Sequence, residues 1–284
     1  MEYYKIKIVN NDFSFLNINS NSKGSRRKRV VVDNNGKKAF FKYQGDNYLV
    51  SESCSEKMCY EIAKVLGYDC AKIELAQDEN GEVGVLNYLF VDMNSFVHED
   101  AVSYLNIYNL KRQEYYTLSN IKNTLDRLDE KLFFQFIRIM IFDALVGETD
   151  RHEENWGIEK NDNNYALSPL YDNGCNLLNK FKDTSYAEKF YSGVKNFDSY
   201  ILNSKTLIYK DDEKSKYKHF ELIELLNSTY HDYVQIEIKN LNKLTDEVIE
   251  NIVSKIPEKL LTKEHKNFII MYLKKRRDIL LNIK

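Results

Sequence analysis

Two prolines and ten glycines in 284 residues leave few chain breakers. That scarcity argues against a turn-rich sandwich or a low-complexity chain and favours long helices. The four cysteines, Cys54, Cys59, Cys70 and Cys175, form no C-x-x-C pair, and the five histidines are scattered. Neither a disulfide framework nor a structural zinc site is expected, and the thiols read as reduced in a cytoplasmic protein. No sign of charge dominates: 41 basic and 43 acidic residues leave −2. Nothing general therefore argues for direct nucleic-acid binding or for acidic membranes. Long hydrophobic runs are missing too. The longest, residues 132–146, is interrupted by Gln135, Arg138 and Asp143 and falls short of the ~20 apolar residues of a membrane span. The opening MEYYKIKIVNNDF has no basic segment followed by an apolar one, so no signal peptide is read.

What is present suits a folded domain or two lobes: 43% hydrophobic and 30% charged residues on a chain long enough to bury a real core. The first third reads as strands with one helix. YKIKIV alternates with period two, and residues 29–32 and 38–43 flank Asp33-Asn34-Asn35-Gly36, a hairpin signal. Residues 55–66 carry Met58, Ile62, Val65 and Leu66 on one side and stop at Gly67, as a helix does. Two further strands, 73–76 and 83–91, surround Asp78-Glu79-Asn80-Gly81. Beyond about residue 92 helical patterns take over. They run through 104–131, then through 132–146, apolar nearly all round as in the middle of a helical domain. A strand-turn-strand at 156–158 and 165–167 follows. The last stretch is helical, with Thr262 as N-cap of the final helix. The expected class is α+β, with a sheet-rich N-lobe over 1–92 and a larger helical C-lobe over 93–284.

The chemistry concentrates in Thr149-Asp150-Arg151-His152-Glu153-Glu154-Asn155-Trp156-Gly157, followed after one hairpin by Leu170-Tyr171-Asp172-Asn173-Gly174. Asp150 and Asn155 have the D-x-x-x-x-N spacing of a phosphotransferase catalytic loop. There the Asp accepts the attacking hydroxyl's proton and the Asn amide oxygen holds Mg2+. Asp172 stands where such enzymes carry a second, metal-binding Asp. One hairpin brings loop and second Asp together. Hard Mg2+ needs few protein oxygens because phosphates and water complete its octahedron. Arg151 either neutralises charge near the transferred phosphate or pairs with a buried acid. His152 reads first as a histidine that fixes the loop, with a catalytic role as the alternative. The basic run 274–277 reads as a solvated helix face, with docking to a membrane surface or partner as the alternative.

TDRHEENWG followed by SPLYDNG resembles the catalytic core of HipA-like kinases, bacterial Ser/Thr kinases related in fold to protein kinases and phosphoinositide kinases. SEKMCYEIAKVLGYDCAKIEL extends the resemblance upstream to the family's Glu-bearing helix. The resemblance implies a two-lobed protein-kinase-like fold that binds ATP and Mg2+ and phosphorylates a Ser or Thr hydroxyl of a protein substrate. It implies Asp150 as catalytic base, with Asn155 and Asp172 as metal ligands. Lys42 becomes the phosphate-clamping lysine, with Glu56, or else Glu61, as its ion-pair partner. In the loop before the first hairpin, Gly24, Ser25 and Lys28 are candidate phosphate contacts, although Arg26 stands where the family more often has Gln. Ser22, with Ser20 and Ser25 as alternatives, is the candidate autophosphorylation site. Only 23 residues precede Gly24, as in short family members. Many relatives are toxins held in check by an antitoxin-type regulator, and short relatives include exported ones. A lipid or small-molecule kinase and a non-catalytic pseudokinase scaffold are the rival readings.

Overall fold

The computed structural model describes residues 2–16, 27–44, 51–90, 97–105, 107, 110–161, 164–178, 188–190, 192–211 and 213–284. Its first part is a six-stranded sheet. In chain order the strands are β1 (Lys7–Ile8), β2 (Phe13–Phe15), β3 (Lys28–Asp33), β4 (Lys38–Tyr43), β5 (Ile73–Gln77) and β6 (Val83–Tyr88). Their spatial order is β1-β5-β6-β4-β3-β2, with β1 parallel to β5 and the remaining pairs antiparallel. The β3–β4 turn forms where the sequence places it. Asp33 Oδ1 accepts from the amides of Asn35 and Lys37, and Gly36 takes the left-handed φ of +81°. The expected strand over 4–9 is reduced to β1, because a single helical turn, Val9–Asp12, interrupts it and buries Val9.

Register decides what the sheet presents. Lys28 pairs with Lys42, Lys42 with Val85, and Val85 with Leu75, so these four share one face. Against that face lies helix α1 (Glu52–Leu66). On the other face Val31, Ala39, Phe41, Leu86 and Tyr88 build a separate small core with Phe13. Helix α1 begins a turn before the expected residue 55. Ser51 caps it by accepting from the Cys54 amide, and Gly67 closes it at φ +74°. That extra turn adds Glu52 to the helix that already carries Glu56.

The second part is helical, with α2 (Leu118–Leu128), α3 (Glu130–Val146), α4 (Phe197–Leu202), α5 (His219–Thr229), α6 (His231–Asn240), α7 (Asp246–Ser254) and α8 (Lys263–Leu281). Its centre is α3, surrounded by α2, α5, α6 and α8, which explains its all-round apolar sequence. The pattern over 104–131 is broken by a short helix, Arg112–Tyr115, before α2. Thr262 caps α8 as expected, accepting from the His265 amide. A small sheet joins β7 (Val97–Asp100), β8 (Gly157–Asn161) and β9 (Asn164–Leu167). Neither the polar β7 nor the ribbon of Lys205–Tyr209 with Lys216–Lys218 carries an apolar period strong enough to be read beforehand.

The run 274–277 is not a solvated face. Arg276 is fully buried and Arg277 nearly so. Four consecutive residues sweep most of a helix circumference at 3.6 residues per turn, so some of them must face the core. All four cysteines are free thiols. Among the described residues no helix is long and apolar enough to cross a membrane.

Candidate active site

Two elements deliver the site. Helix α3 ends at Gly147, whose φ of +73° stops the helix and whose missing Cβ leaves room for the Tyr272 hydroxyl of α8. The loop 148–156 follows, then the β8–β9 hairpin, then Leu170. Leu170 is tied to the sheet lobe by two backbone bonds, Leu170 N to Asp69 O (2.9 Å) and Ala71 N to Leu170 O (2.8 Å). Asp172 is thus held beneath β4 in a left-handed conformation, φ +54°, that is uncommon outside glycine.

Lys42 Nζ joins the lobes, donating to Asp172 Oδ1 at 2.9 Å and to Glu56 Oε1 at 3.3 Å. Glu61 is not its partner, because that carboxylate is taken by Lys57 and Lys64. Burial works against the Lys42 charge, but Glu56 and Asp172 outweigh it and hold the ammonium above the ordinary lysine range. Asp172 shows the same contest: burial raises its carboxyl, and the Lys42 charge and hydrogen bond bring it below the usual range. Glu56 goes the other way, pushed up by burial that Lys42 opposes only in part. Its Oε2 is buried without a partner among the described residues. The two acids differ in access. The Glu56 side chain is 5% exposed and the Asp172 side chain 47%, so Asp172 is the acid open to the cleft. Lys28, expected in the preceding loop, is the first residue of β3. Its ammonium is pushed down by burial and by Lys42, and Asp172 pulls it back up, so it belongs to the same charge group. Gly24, Ser25, Ser20 and Ser22 lie outside the described residues.

The loop is fixed by its own polar groups. Asn155 is buried, and its Nδ2 donates to Asp150 O at 2.8 Å. That bond orients the amide and leaves Oδ1 without a hydrogen bond among the described residues, as a hard-metal ligand requires. His152 acts locally: its amide donates to Asp150 O and its Nδ1 accepts from the Glu154 amide at 3.2 Å. Asp150 Oδ2 accepts a long bond from Cys175 Sγ at 3.7 Å.

Of the two alternatives for Arg151, pairing with a buried acid is the one observed, so its placing among the catalytic residues is corrected. Arg151 is 5% exposed, and its guanidinium is fully committed. Nε donates to Asp143, Nη1 to Asn155 O and Tyr171 O (both 2.9 Å), and Nη2 to Asp143 Oδ1 (2.8 Å) and Asn173 Oδ1 (2.6 Å). Five N–H groups meet five acceptors, so none is left for a ligand. Arg151 is a positioning residue that clamps the loop to the Asp172 segment.

Two acids were not singled out as site residues from sequence. Asp143, an acid inside an apolar helix eight residues before an arginine, carries a readable signal of a buried pair. Glu148 carries none, being one polar residue among several. It is 2% exposed, accepts from Asp150 N (2.7 Å) and Asn176 Nδ2 (3.0 Å), and burial pushes its carboxyl up to about 7. Beside Asp172, Phe90 and Tyr171 stack at 5.7 Å, with His98 edge-on to both. They line an aromatic corner where the six-stranded sheet meets the small β7–β8–β9 sheet.

A strand lysine bridged to a helix acid and to a loop acid, with a small sheet above a helical body, defines a two-lobed protein-kinase-like fold. Within that class the chain belongs to the HipA-like C-terminal domain family, whose model matches residues 20–259. The chain is similar to the serine/threonine-protein kinase CtkA of Helicobacter pylori, 23% identical over 174 residues. That alignment covers 58% of this chain and about half, 52%, of the relative. The crystal structure of a Helicobacter pylori proinflammatory kinase CtkA superposes with a TM-score of 0.78 at 19% identity, covering 95% of both chains. HipA of Shewanella oneidensis, solved with HipB and operator DNA, superposes with a TM-score of 0.56 at 12% identity, over 98% of this chain and 65% of that one.

Proposed function

We propose that this protein is an ATP- and Mg2+-dependent kinase that transfers the γ-phosphoryl group to a Ser or Thr hydroxyl of a protein. The observation that carries the reading is the Lys42 ammonium bridging buried Glu56 and cleft-facing Asp172. A lysine fixed in that way keeps its charge where triphosphate oxygens would lie, and Lys28 stands beside it in register. Asn155 Oδ1 and the Asp172 carboxylate would hold Mg2+, which supplies charge neutralisation on the phosphates. Two protein oxygens are enough for such an ion, because phosphates and water complete its octahedron.

In this reading Asp150 takes the proton of the acceptor hydroxyl as its oxygen attacks the γ-phosphorus. The bond to the β-phosphate oxygen breaks and ADP leaves. Glu148, holding the Asp150 amide, and Arg151, holding Asn155 O and Tyr171 O, fix the geometry on which such a loose transition state depends. Residues 1–92 would cover the nucleotide and 93–284 would bind the acceptor. Autophosphorylation at Ser22, Ser20 or Ser25, an antitoxin-type regulator and a cytoplasmic site of action complete the proposal on family grounds. The test is radiolabelled ATP incubated with the protein and cell lysate, resolved into protein and lipid fractions. Label in Ser or Thr of protein is expected. Label confined to lipid, or none above an Asp150→Asn control, refutes the assignment.

A further inference from the structure

The loop 148–156 is held a second time, by the segment that carries the short helix Arg112–Tyr115. Glu153 is buried, and its Oε1 accepts from Arg112 Nε at 3.2 Å, from Arg112 Nη2 at 3.0 Å and from Tyr115 Oη at 2.6 Å. The next residue, Tyr116, is fully buried. Its Oη donates to Arg151 O at 2.7 Å and accepts from Trp156 Nε1 at 2.9 Å. Main-chain bonds complete the contact, with Val102 N donating to Glu153 O and Ala101 N to Trp156 O, both at 3.0 Å. The Arg151 side chain ties the loop to Asp143 and to the Asp172 segment, so the two holds use different partners.

Packing alone does not explain the pair. Burial pushes the Glu153 carboxyl up, and Tyr115 and Arg112 bring it below the usual range, so it is charged at neutral pH. Its Oε2 is buried with no partner among the described residues, a loss of stability that an apolar side chain would not carry. The counter-charge comes from Arg112, whose side chain is half-exposed. What the arrangement fixes is a backbone. Among the described residues the Asp150 side chain makes one long bond, to Cys175, so its placement follows from the main chain on either side. Before it, Glu148 holds the Asp150 amide; after it, Tyr116 holds the Arg151 carbonyl and Arg112 holds Glu153. Lys42 and Asp172 are placed by β4 and by the Leu170 bonds to the sheet lobe, without Arg112 or Glu153.

We propose that Arg112 and Glu153 are positioning residues for the proton-accepting Asp150, setting the rate of transfer to the acceptor hydroxyl without a part in nucleotide binding. Their hold on the loop rests on the contacts above; its effect on transfer rests on the kinase reading. The hold is measured without turnover, by hydrogen exchange on the full chain. In Arg112→Gln the His152 and Asn155 amides, which donate within the loop, should lose protection about ten-fold, while the Ala71 and Leu170 amides keep theirs. Adding Glu153→Gln should restore part of the loss, because no buried charge then lacks its partner. Equal protection in Arg112→Gln and the wild type overturns the hold. Turnover is read as kcat against Mg-ATP affinity. Arg112→Gln should lower kcat about ten-fold, the loss of one charge-assisted contact, with Mg-ATP affinity unchanged. Arg112→Lys should stay close to the wild type, because both Arg112 donors reach one oxygen and an ammonium can take their place. Unchanged kcat in Arg112→Gln overturns the positioning role, and so does an equal fall in kcat and affinity, the mark of general loosening. If the wild type transfers no phosphate the kinase reading fails, while the exchange measurement still decides the hold.

Discussion

Replacing Arg151 with Met tests whether the arginine is a clamp. The substitution keeps much of the side-chain length and removes all five donated hydrogen bonds. Asp143, 5% exposed, is left without its partner, as are the carbonyls of Asn155 and Tyr171. Breaking one side of a buried pair costs about 3–5 kcal/mol. At roughly 2–4 °C per kcal/mol for a chain of this size, the melting temperature should fall by roughly 6–20 °C. The pH dependence carries the diagnosis. Burial already raises the Asp143 carboxyl, and the Arg151 charge opposes that rise. Without the guanidinium the folded value climbs further above the unfolded one, so the folded variant prefers the protonated acid. Its deficit against the wild type is full at neutral pH and shrinks as acid protonates Asp143. Adding Asp143→Asn to Arg151→Met should recover part of the loss, giving a coupling of about 2 kcal/mol between the two sites. Urea denaturation of all four proteins at two pH values measures each quantity. A deficit below about 1 kcal/mol at neutral pH, or one that grows on acidification, would refute the clamp.

Asp150→Asn should lower phosphotransfer by about 10²–10⁴-fold with nucleotide affinity retained, while Asp172→Ala should weaken nucleotide binding mainly when Mg2+ is present; calorimetry with and without the metal separates the two. Lys42→Met should abolish activity and also destabilise the fold, because Glu56 is left buried and unpaired; denaturation should show a partial rescue on adding Glu56→Gln. Glu148 makes stability pH-dependent in a stated direction. With its folded value raised to about 7, its contribution is greatest below the ordinary carboxylate range and is lost as pH rises toward about 7. Denaturation of Glu148→Gln across that range should give a flatter profile than the wild type.

Local signals made much of this protein legible before its fold. The Asp33–Gly36 turn, the Gly67 helix end and the Thr262 cap each depend on residues a few positions apart, so the sequence shows them directly. The loop Asp150–Asn155 and the later Asp172 were readable for the same reason, since one hairpin spans the distance between them. Lys42 on the second strand of the first hairpin followed from the family resemblance, once the turn at Asp33–Gly36 had placed that strand. The choice of Glu56 over Glu61 did not follow. Both lie on α1, and only the packing of that helix on the sheet decides which one meets Lys42. The same holds for Arg151, whose open alternatives closed once Asp143, Asn173 and two backbone carbonyls were found to take every N–H. Arg276 reads as one of four surface cations in the chain, yet it is buried against Ala144, 132 residues away. Sequence by itself determined the first hairpin, the main helices, the chemistry-bearing loop and the α+β class, because these rest on short-range periodicity and spacing. Tertiary structure alone decided which charges are paired, which are buried and which face the cleft, because burial and partnership depend on residues far apart in the chain.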